Sequence, residues 1–227
     1  MVFLRINEIY SSIQGESTFA GLPCVFIRTT GCDLRCSYCD TEHAFYEGYR
    51  MSIDEILARV RKENLKLVEV TGGEPLLQRS CPELLRALCD SGYEVLLETS
   101  GAHDISVVDA RVHRIVDIKC PSSGESYRFY TENIHLLTRR DEVKFVIGSR
   151  EDYEYARKLI TEHDLAYRVN AVLLSPVFKL TPRLGYVSGH PGIDPRLIVD
   201  WMLQDKLPAR FQLQLHKFIW PPDTRGV

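Results

Sequence analysis

The sequence has no uninterrupted apolar stretch near the ~18 residues that a membrane-spanning helix needs. It also has no excess of either charge: 28 Lys and Arg stand against 31 Asp and Glu, a formal net charge of -3. The first absence excludes a helical membrane span. The second excludes a basic footprint for nucleic acid and a polybasic patch for a lipid surface. No internal repeat, low-complexity tract or long linker breaks the chain. The opening residues MVFLRINEIY set Arg5 and Glu8 inside the apolar run, unlike a signal or transit peptide, so a cytoplasmic protein is expected. An even, dispersed cysteine framework is missing as well. There are seven cysteines, and three fall within eight residues. That pattern points to reduced thiols with a metal role rather than to disulfides.

What is present is an ordinary globular composition over 227 residues, 44% hydrophobic and 26% charged. A single domain over residues 1–227 with a substantial core is expected. β-rich runs are predicted at Val2–Tyr10, Val25–Thr30, Lys66–Thr71, Tyr93–Thr99, Ile115–Lys119, Glu142–Ile147, Ala171–Pro176 and Arg210–Phe218. Helices are predicted between many of them. Ser52-Ile53-Asp54-Glu55 is a capping box opening a helix to about Lys62. Cys81-Pro82 opens one closed by Gly92, a third runs from Arg150 to His163, and Asp194-Pro195 starts one through Leu203. Alternation of this kind means parallel crossovers and an open doubly wound sheet or a barrel. A full eightfold barrel usually needs ~250 residues. The expected fold is therefore α/β, a partial (trimmed) TIM-like βα barrel with mostly parallel strands. Its chemistry should gather at the carboxyl ends of the strands.

The cysteines stand at such an end. Gly31-Cys32-Asp33-Leu34-Arg35-Cys36-Ser37-Tyr38-Cys39-Asp40-Thr41 directly follows the strand Val25–Thr30. Three thiolates in so short a loop can hold three irons of a 4Fe-4S cluster and leave the fourth open for catalysis. Structural zinc with His43 or Cys24 as fourth ligand is an alternative. A redox pair leaves the third thiol unexplained, and coincidence is the remaining possibility.

The spacing C-x3-C-x2-C resembles the signature of the radical S-adenosylmethionine superfamily. In that family the open iron is chelated by the methionine part of S-adenosyl-L-methionine, and an electron from the cluster releases a 5′-deoxyadenosyl radical. The resemblance makes Cys32, Cys36 and Cys39 the cluster ligands and catalytic residues. It places Tyr38, Cys39 and Asp40 beside the cofactor. Val70-Thr71-Gly72-Gly73-Glu74-Pro75 is by itself an ordinary βα turn whose two glycines let a ligand approach the backbone. Beside the cysteine loop it resembles the superfamily's GGE motif, which binds the cofactor's amino group. Ser100, at the end of the next strand, and Asp117, Ile118 and Lys119, after the one that follows, would complete the cofactor ring. Each of those segments alone reads as a solvated loop. Lys144 in Val143–Ile147 reads equally as a lysine snorkelling from its strand.

The resemblance extends further. Glu8-Ile9-Tyr10-Ser11-Ser12-Ile13-Gln14-Gly15-Glu16, then Gly21-Leu22-Pro23-Cys24-Val25-Phe26-Ile27-Arg28, Cys39-Asp40-Thr41, and the tail Gln212-Leu213-Gln214-Leu215-His216-Lys217-Phe218-Ile219-Trp220 with Arg225-Gly226-Val227 are similar to the 7-carboxy-7-deazaguanine synthase family over nearly the whole chain. That family converts 6-carboxy-5,6,7,8-tetrahydropterin to a deazapurine and ammonia on the path to queuosine. The resemblance implies substrate contacts from Ile13, Gln14, Gly15, Arg28, Thr71, His216 and the terminal carboxylate of Val227. It implies Mg2+ at Thr41, a homodimer, and an electron donor such as flavodoxin or ferredoxin. Chemically, Gln14 can pair with the amide-like edge of a pterin and Arg28 with its carboxylate. If Arg210–Phe218 is a strand, Gln212, Gln214 and His216 share one face; Gln212 reads as exposed edge and His216 as the substrate contact. The other six histidines read as surface or supporting residues, and Cys24, Cys81 and Cys89 as small apolar side chains. Two further readings stand beside this one. An activase that makes a glycyl radical on a partner protein shares the cysteine motif. A zinc-stabilised binding module would be colourless and leave Gly72-Gly73-Glu74 without a task.

Overall fold

The computed structural model describes residues 2–179, 190–221 and 224–226. In chain order the elements are β1 (Phe3–Ile13), β2 (Pro23–Thr29), β3 (Tyr49–Ser52), α1 (Ile53–Lys62), β4 (Leu67–Gly72), α2 (Cys81–Asp90), β5 (Glu94–Thr99), β6 (His113–Asp117), α3 (Asn133–Leu136), β7 (Glu142–Ile147), α4 (Arg150–Glu162), α5 (Leu165–Arg168), β8 (Ala171–Pro176), α6 (Pro195–Asp205), β9 (Arg210–Phe211) and α7 (His216–Ile219). Among the described residues, the strands form one nine-stranded sheet in the order β3-β1-β2-β4-β5-β6-β7-β8-β9. β1 runs antiparallel to β2 and β3, and every step from β2 to β9 is parallel. The edge strands β3 and β9 are not paired with each other, so the barrel is partial, as expected.

The helices start where local chemistry satisfies their first N–H groups. Ser52 and Glu55 cap α1 reciprocally, Ser149 caps α4 and Asp194 caps α6. α1 and α2 press Ile56, Val60, Leu84, Leu85 and Leu88 onto the outer face of the first half of the sheet. α4 and α6 press Tyr153, Ala156, Ile160 and Ile198 onto the second half. Every residue of β4, β7 and β8 is buried, the signature of strands covered on both faces.

The inner face is layered. Cys24, Phe26, Leu67, Leu96 and Ile115 form an apolar plug. Two residues further along several of the same strands stand Arg28, Glu69, Glu98 and Asp117, with Lys144 on β7. Strand alternation puts apolar residues outward and this ionic layer inward.

Two expectations about elements need correction. β3 is absent from the predicted strands; it is a four-residue edge strand pairing with β1 directly before the α1 capping box. The predicted strand Arg210–Phe218 ends at Phe211, and His216 opens a short helix. Beyond Gln212 the chain bonds to the turn after β1 instead of continuing along β8. Gln212 clamps the Ser17 backbone on both sides (3.0 and 2.8 Å), Gln214 Nε2 donates to Glu16 Oε1 (2.8 Å), and Leu215 N donates to Gly15 O (3.0 Å). Gln212 is thus a clamp, not an exposed edge residue. Among the described residues no helix is long and apolar enough to cross a membrane.

Candidate active site

The carboxyl ends of the parallel strands open on a cavity of about 500 Å³. The cysteine loop forms one wall. It is tied across the cavity mouth to the segment after β6: Ser37 N donates to Ser123 O (3.0 Å), Ser37 Oγ to Ser122 O (2.7 Å), and Arg35 N to Glu125 Oε1 (2.8 Å). Cys32, Cys36 and Cys39 all line the cavity as free thiols. Burial pushes the Cys32 thiol up to about 11 and the Cys39 thiol up to about 12, so bound metal, not the protein's own field, would have to remove their protons.

Of the two fourth ligands the zinc alternative offered, only His43 lines the cavity. Cys24 is buried in the apolar plug, and His43 Nε2 lies 3.6 Å from Glu8 Oε1. Among the described residues no group of three His, Cys, Asp or Glu side chains is arranged to hold a single ion. Three free thiols lining one cavity suit the corners of a cluster instead. Two buried oxygens of the same cavity, Tyr38 Oη and Asp117 Oδ1, make no hydrogen bond among the described residues. Unsatisfied oxygens next to a thiol-lined wall fit a polar cofactor seated on a cluster.

Gly72 and Gly73 also line this wall, but their glycine character serves the fold first. A Cβ on Gly73 would stand 2.3 Å from Gly31 O and 2.7 Å from the Cys32 Cβ, and one on Gly72 2.6 Å from Thr29 O. The turn nests directly against the cysteine loop, which Glu74 N joins through Gly31 O at 2.8 Å. Gly73→Ala should therefore displace the Cys32 end of the loop, costing about 1–3 kcal/mol and much of the bound iron. Thermal unfolding and iron content per chain check this; wild-type values for both would refute the packing argument.

Glu74 departs from expectation. Its carboxylate is fully buried and accepts four hydrogen bonds: from Leu76 N and Thr99 Oγ1 on one oxygen, and from Ser100 N and Oγ on the other, at 2.6–2.9 Å. It staples the turns after β4 and β5 rather than facing a ligand. Ile118 departs too. Its side chain lies in the outer core with Val116 and Phe145, because it follows the inward-facing Asp117 by one residue. Ser100, Asp117 and Lys119 do line the cavity, with Lys119 Nζ 2.8 Å from Asp117 Oδ2.

Tyr38 stands against Val146 and Val177 and meets the His190 ring edge-on. Asp40 faces Lys217 Nζ at 2.7 Å. Burial alone would raise the Asp40 carboxyl, but Lys217 outweighs it and holds the group below its usual range. Thr41 Oγ1 lies 3.9 Å from Cys39 Sγ.

The same cavity also brings together substrate residues expected from sequence. Ile13, Gln14, Gly15, Arg28, Thr71 and His216 all line the cavity. His216 lies directly on Gly15, where a Cβ would come within 2.5 Å of its Nδ1. Burial lowers the His216 imidazole below its ordinary value, favouring the neutral ring. Arg28 Nε donates to Glu8 Oε1 (2.7 Å) and its Nη2 to Tyr10 Oη (2.9 Å). Val227 lies outside the described residues.

Sequence reasoning missed Glu8, Glu16, His43, Glu69 and Lys217 as wall residues and left Lys144 open. Lys144 does not snorkel. Its side chain is 4% exposed, and Nζ is paired with Glu16 (2.8 Å), Glu98 and Asp117 (3.4 Å). Burial would raise the Glu16 carboxyl, yet Lys144, His216 and Gln214 hold it at about 2. The available signal was a charge at an inward position of a strand otherwise covered on both faces.

Comparison with known proteins agrees with this geometry. The chain matches the radical SAM superfamily over residues 26–161. It is 48% identical to a 7-carboxy-7-deazaguanine synthase of Koribacter versatilis over 226 residues, 99% of this chain and 100% of that one. It is also 48% identical to one of Chlorobaculum tepidum, covering 99% and 97% of the two chains. The crystal structure of QueE from Escherichia coli shares the fold, with a TM-score of 0.70 at 22% identity, over 94% of this chain and 95% of that one. The chain belongs to the 7-carboxy-7-deazaguanine synthase family of the radical SAM superfamily.

Proposed function

We propose that this chain, as a single radical SAM domain over residues 1–227, converts 6-carboxy-5,6,7,8-tetrahydropterin to 7-carboxy-7-deazaguanine with loss of ammonia, in queuosine biosynthesis. The observation that carries the reading is the meeting, in one cavity, of the cysteine loop, the Gln14-Gly15-Glu16 turn and the His216 tail. Family membership implies a 4Fe-4S cluster and S-adenosylmethionine. When bound, they supply one-electron chemistry able to remove a hydrogen atom from an unactivated carbon.

The chain's own residues bind, orient and enclose. Cys32, Cys36 and Cys39 hold the cluster. Tyr38, Asp40, Gly72, Gly73, Ser100, Asp117 and Lys119 hold the cofactor. Arg28 meets the substrate carboxylate: its two described hydrogen bonds leave three of five N–H donors for a ligand. Thr71 and His216 flank the ring. Thr41 would help hold Mg2+, a hard cation that prefers oxygen ligands and would supply positive charge for the substrate carboxylate. The reading includes a cytoplasmic homodimer and a flavodoxin or ferredoxin as electron donor, both on family likeness. An activase working on a protein partner would have no use for this buried ionic layer.

Anaerobic turnover of the reconstituted protein with reductant, S-adenosylmethionine, Mg2+ and the pterin, followed by mass spectrometry, tests the reading. The deazapurine is the expected product. Cofactor cleavage without it would refute the substrate. Arg28→Ala should raise KM about 10- to 100-fold, the worth of a charge-assisted carboxylate pair, with iron content unchanged. An unchanged KM would remove Arg28 from the carboxylate site.

A further inference from the structure

On β4 the inward positions are Leu67, Glu69 and Thr71. Glu69 sits at the floor of the cavity, in register with Phe26 of β2 and Leu96 of β5, both members of the apolar plug. A leucine there would extend the plug. Instead a carboxyl, 3% exposed, opens on the cavity. Among the described residues no ion pair reaches it, and Lys144 Nζ is paired with Glu16, Glu98 and Asp117. Its hydrogen bond comes from Gln14 Nε2.

This contact changes what Gln14 can do. Gln14 Oε1 accepts from Glu16 N (3.0 Å), and Nε2 donates to Glu69. The oxygen and one N–H of the amide expected to read the pterin edge are already engaged inside the protein. Beside that amide the Glu69 carboxyl also opens on the cavity.

We propose that Glu69 is a specificity-determining residue of the substrate subsite, reading the aminopyrimidinone edge by one donated and one accepted hydrogen bond while it fixes the Gln14 amide. This rests on the pterin reading above. The chemistry fits: an aminopyrimidinone edge sets N–H donors beside an acceptor, and a neutral carboxyl offers a donor and an acceptor side by side. Burial pushes the Glu69 carboxyl well above its ordinary range; Glu98 and Glu16 add to this, and the Gln14 bond and Lys144 oppose it. A buried carboxyl left without its ligand is costly, which explains its absence from an ordinary plug.

The test compares the reconstituted enzyme and its Glu69→Met and Glu69→Gln variants on the pterin and on its 2-deamino analogue. Wild type should prefer the parent by about 10- to 100-fold in kcat/KM, the worth of a buried polar partner left unmatched. Glu69→Met should lose most of that preference through KM on the parent, with iron content and S-adenosylmethionine affinity unchanged. Glu69→Gln, which keeps a donor and an acceptor, should retain it. The preference and the substitution are then coupled, not additive. A Glu69→Met enzyme that loads iron and keeps the full preference overturns the assignment, and so does Glu69→Gln behaving like Glu69→Met. Should Glu69→Met fail to load iron, Glu69→Ala takes its place under the same criteria. Wild type inert on the parent would overturn the pterin reading and this assignment together; wild type active without any preference overturns the assignment alone.

Discussion

Cys36→Ala should give a folded protein that binds no intact cluster and makes no product. Cys36 lies at the centre of the loop and lines the cavity with Cys32 and Cys39. No other thiol can replace it. Cys24 is in the plug, Cys81 is in the outer core, Cys120 is buried behind the segment after β6, and Cys89 is on α2. Two thiols cannot hold a cluster that normally takes a thiolate at each ligated iron. The fold should survive, because the loop is tied by Ser37 and Arg35 to residues 122–125 and not through sulfur. Anaerobic reconstitution followed by iron and sulfide analysis, absorbance at visible wavelengths and product assay checks this. A brown, active variant would refute the ligand set. So would a wild-type protein that gains one zinc and no colour.

Lys144→Met should be the most damaging single change to stability in the inner face. Lys144 is the shared cation of Glu16, Glu98 and Asp117. Without it those acids are left buried with no counter-charge from β7. Breaking a buried ion pair from one side costs about 3–5 kcal/mol. For a chain of this size that is a fall in Tm of roughly 6–20 °C. The pH dependence has a definite sign. In wild type Glu16 is held at about 2, so its contribution is present above its ordinary value near 4.3 and is lost as pH falls toward 2. Lys144 itself is raised well above its usual value, because the three acids outweigh burial, so its contribution persists through neutral pH and is lost only at high pH. In the variant burial is left to raise the Glu16 carboxyl, and Glu98, already raised in wild type, loses the cation that opposed its rise. The deficit should therefore be large at pH 7.5 and shrink toward pH 4.5. Equal deficits at both values, by calorimetry, would show that Lys144 contributes packing and not charge.

Legibility followed physical range. The Ser52 capping box, the Asp194-Pro195 start and the covered strand Glu142–Ile147 are set by neighbours a few residues apart, and the structure places them where local reasoning does. The tail illustrates the opposite case. Residues 210–218 alternate like a strand, yet the turn at Gly15–Ser17 offers Gln212, Gln214 and Leu215 better partners than β8 does. That competition spans about two hundred positions of sequence and leaves no local trace. Glu74 and Gly73 show a subtler gap. The GGE turn stands out in the sequence, but its glutamate serves the turn after β5 and its second glycine makes room for the cysteine loop.

By itself the sequence determined the class of chemistry, the α/β alternation and the strand ends at which the chemistry gathers. Those depend on residue type at short spacing: three thiols in one loop, helix caps, and hydrophobic periods of 2 and 3.6. Tertiary structure alone decided which charges became the site. Strand alternation turns Glu69, Glu98, Asp117 and Lys144 of four separate strands into one cavity, and parallel register sets Asp117 directly beside Lys144. In that layer low polarity, not sequence proximity, sets which of them pair, which stay protonated and which remain for a ligand.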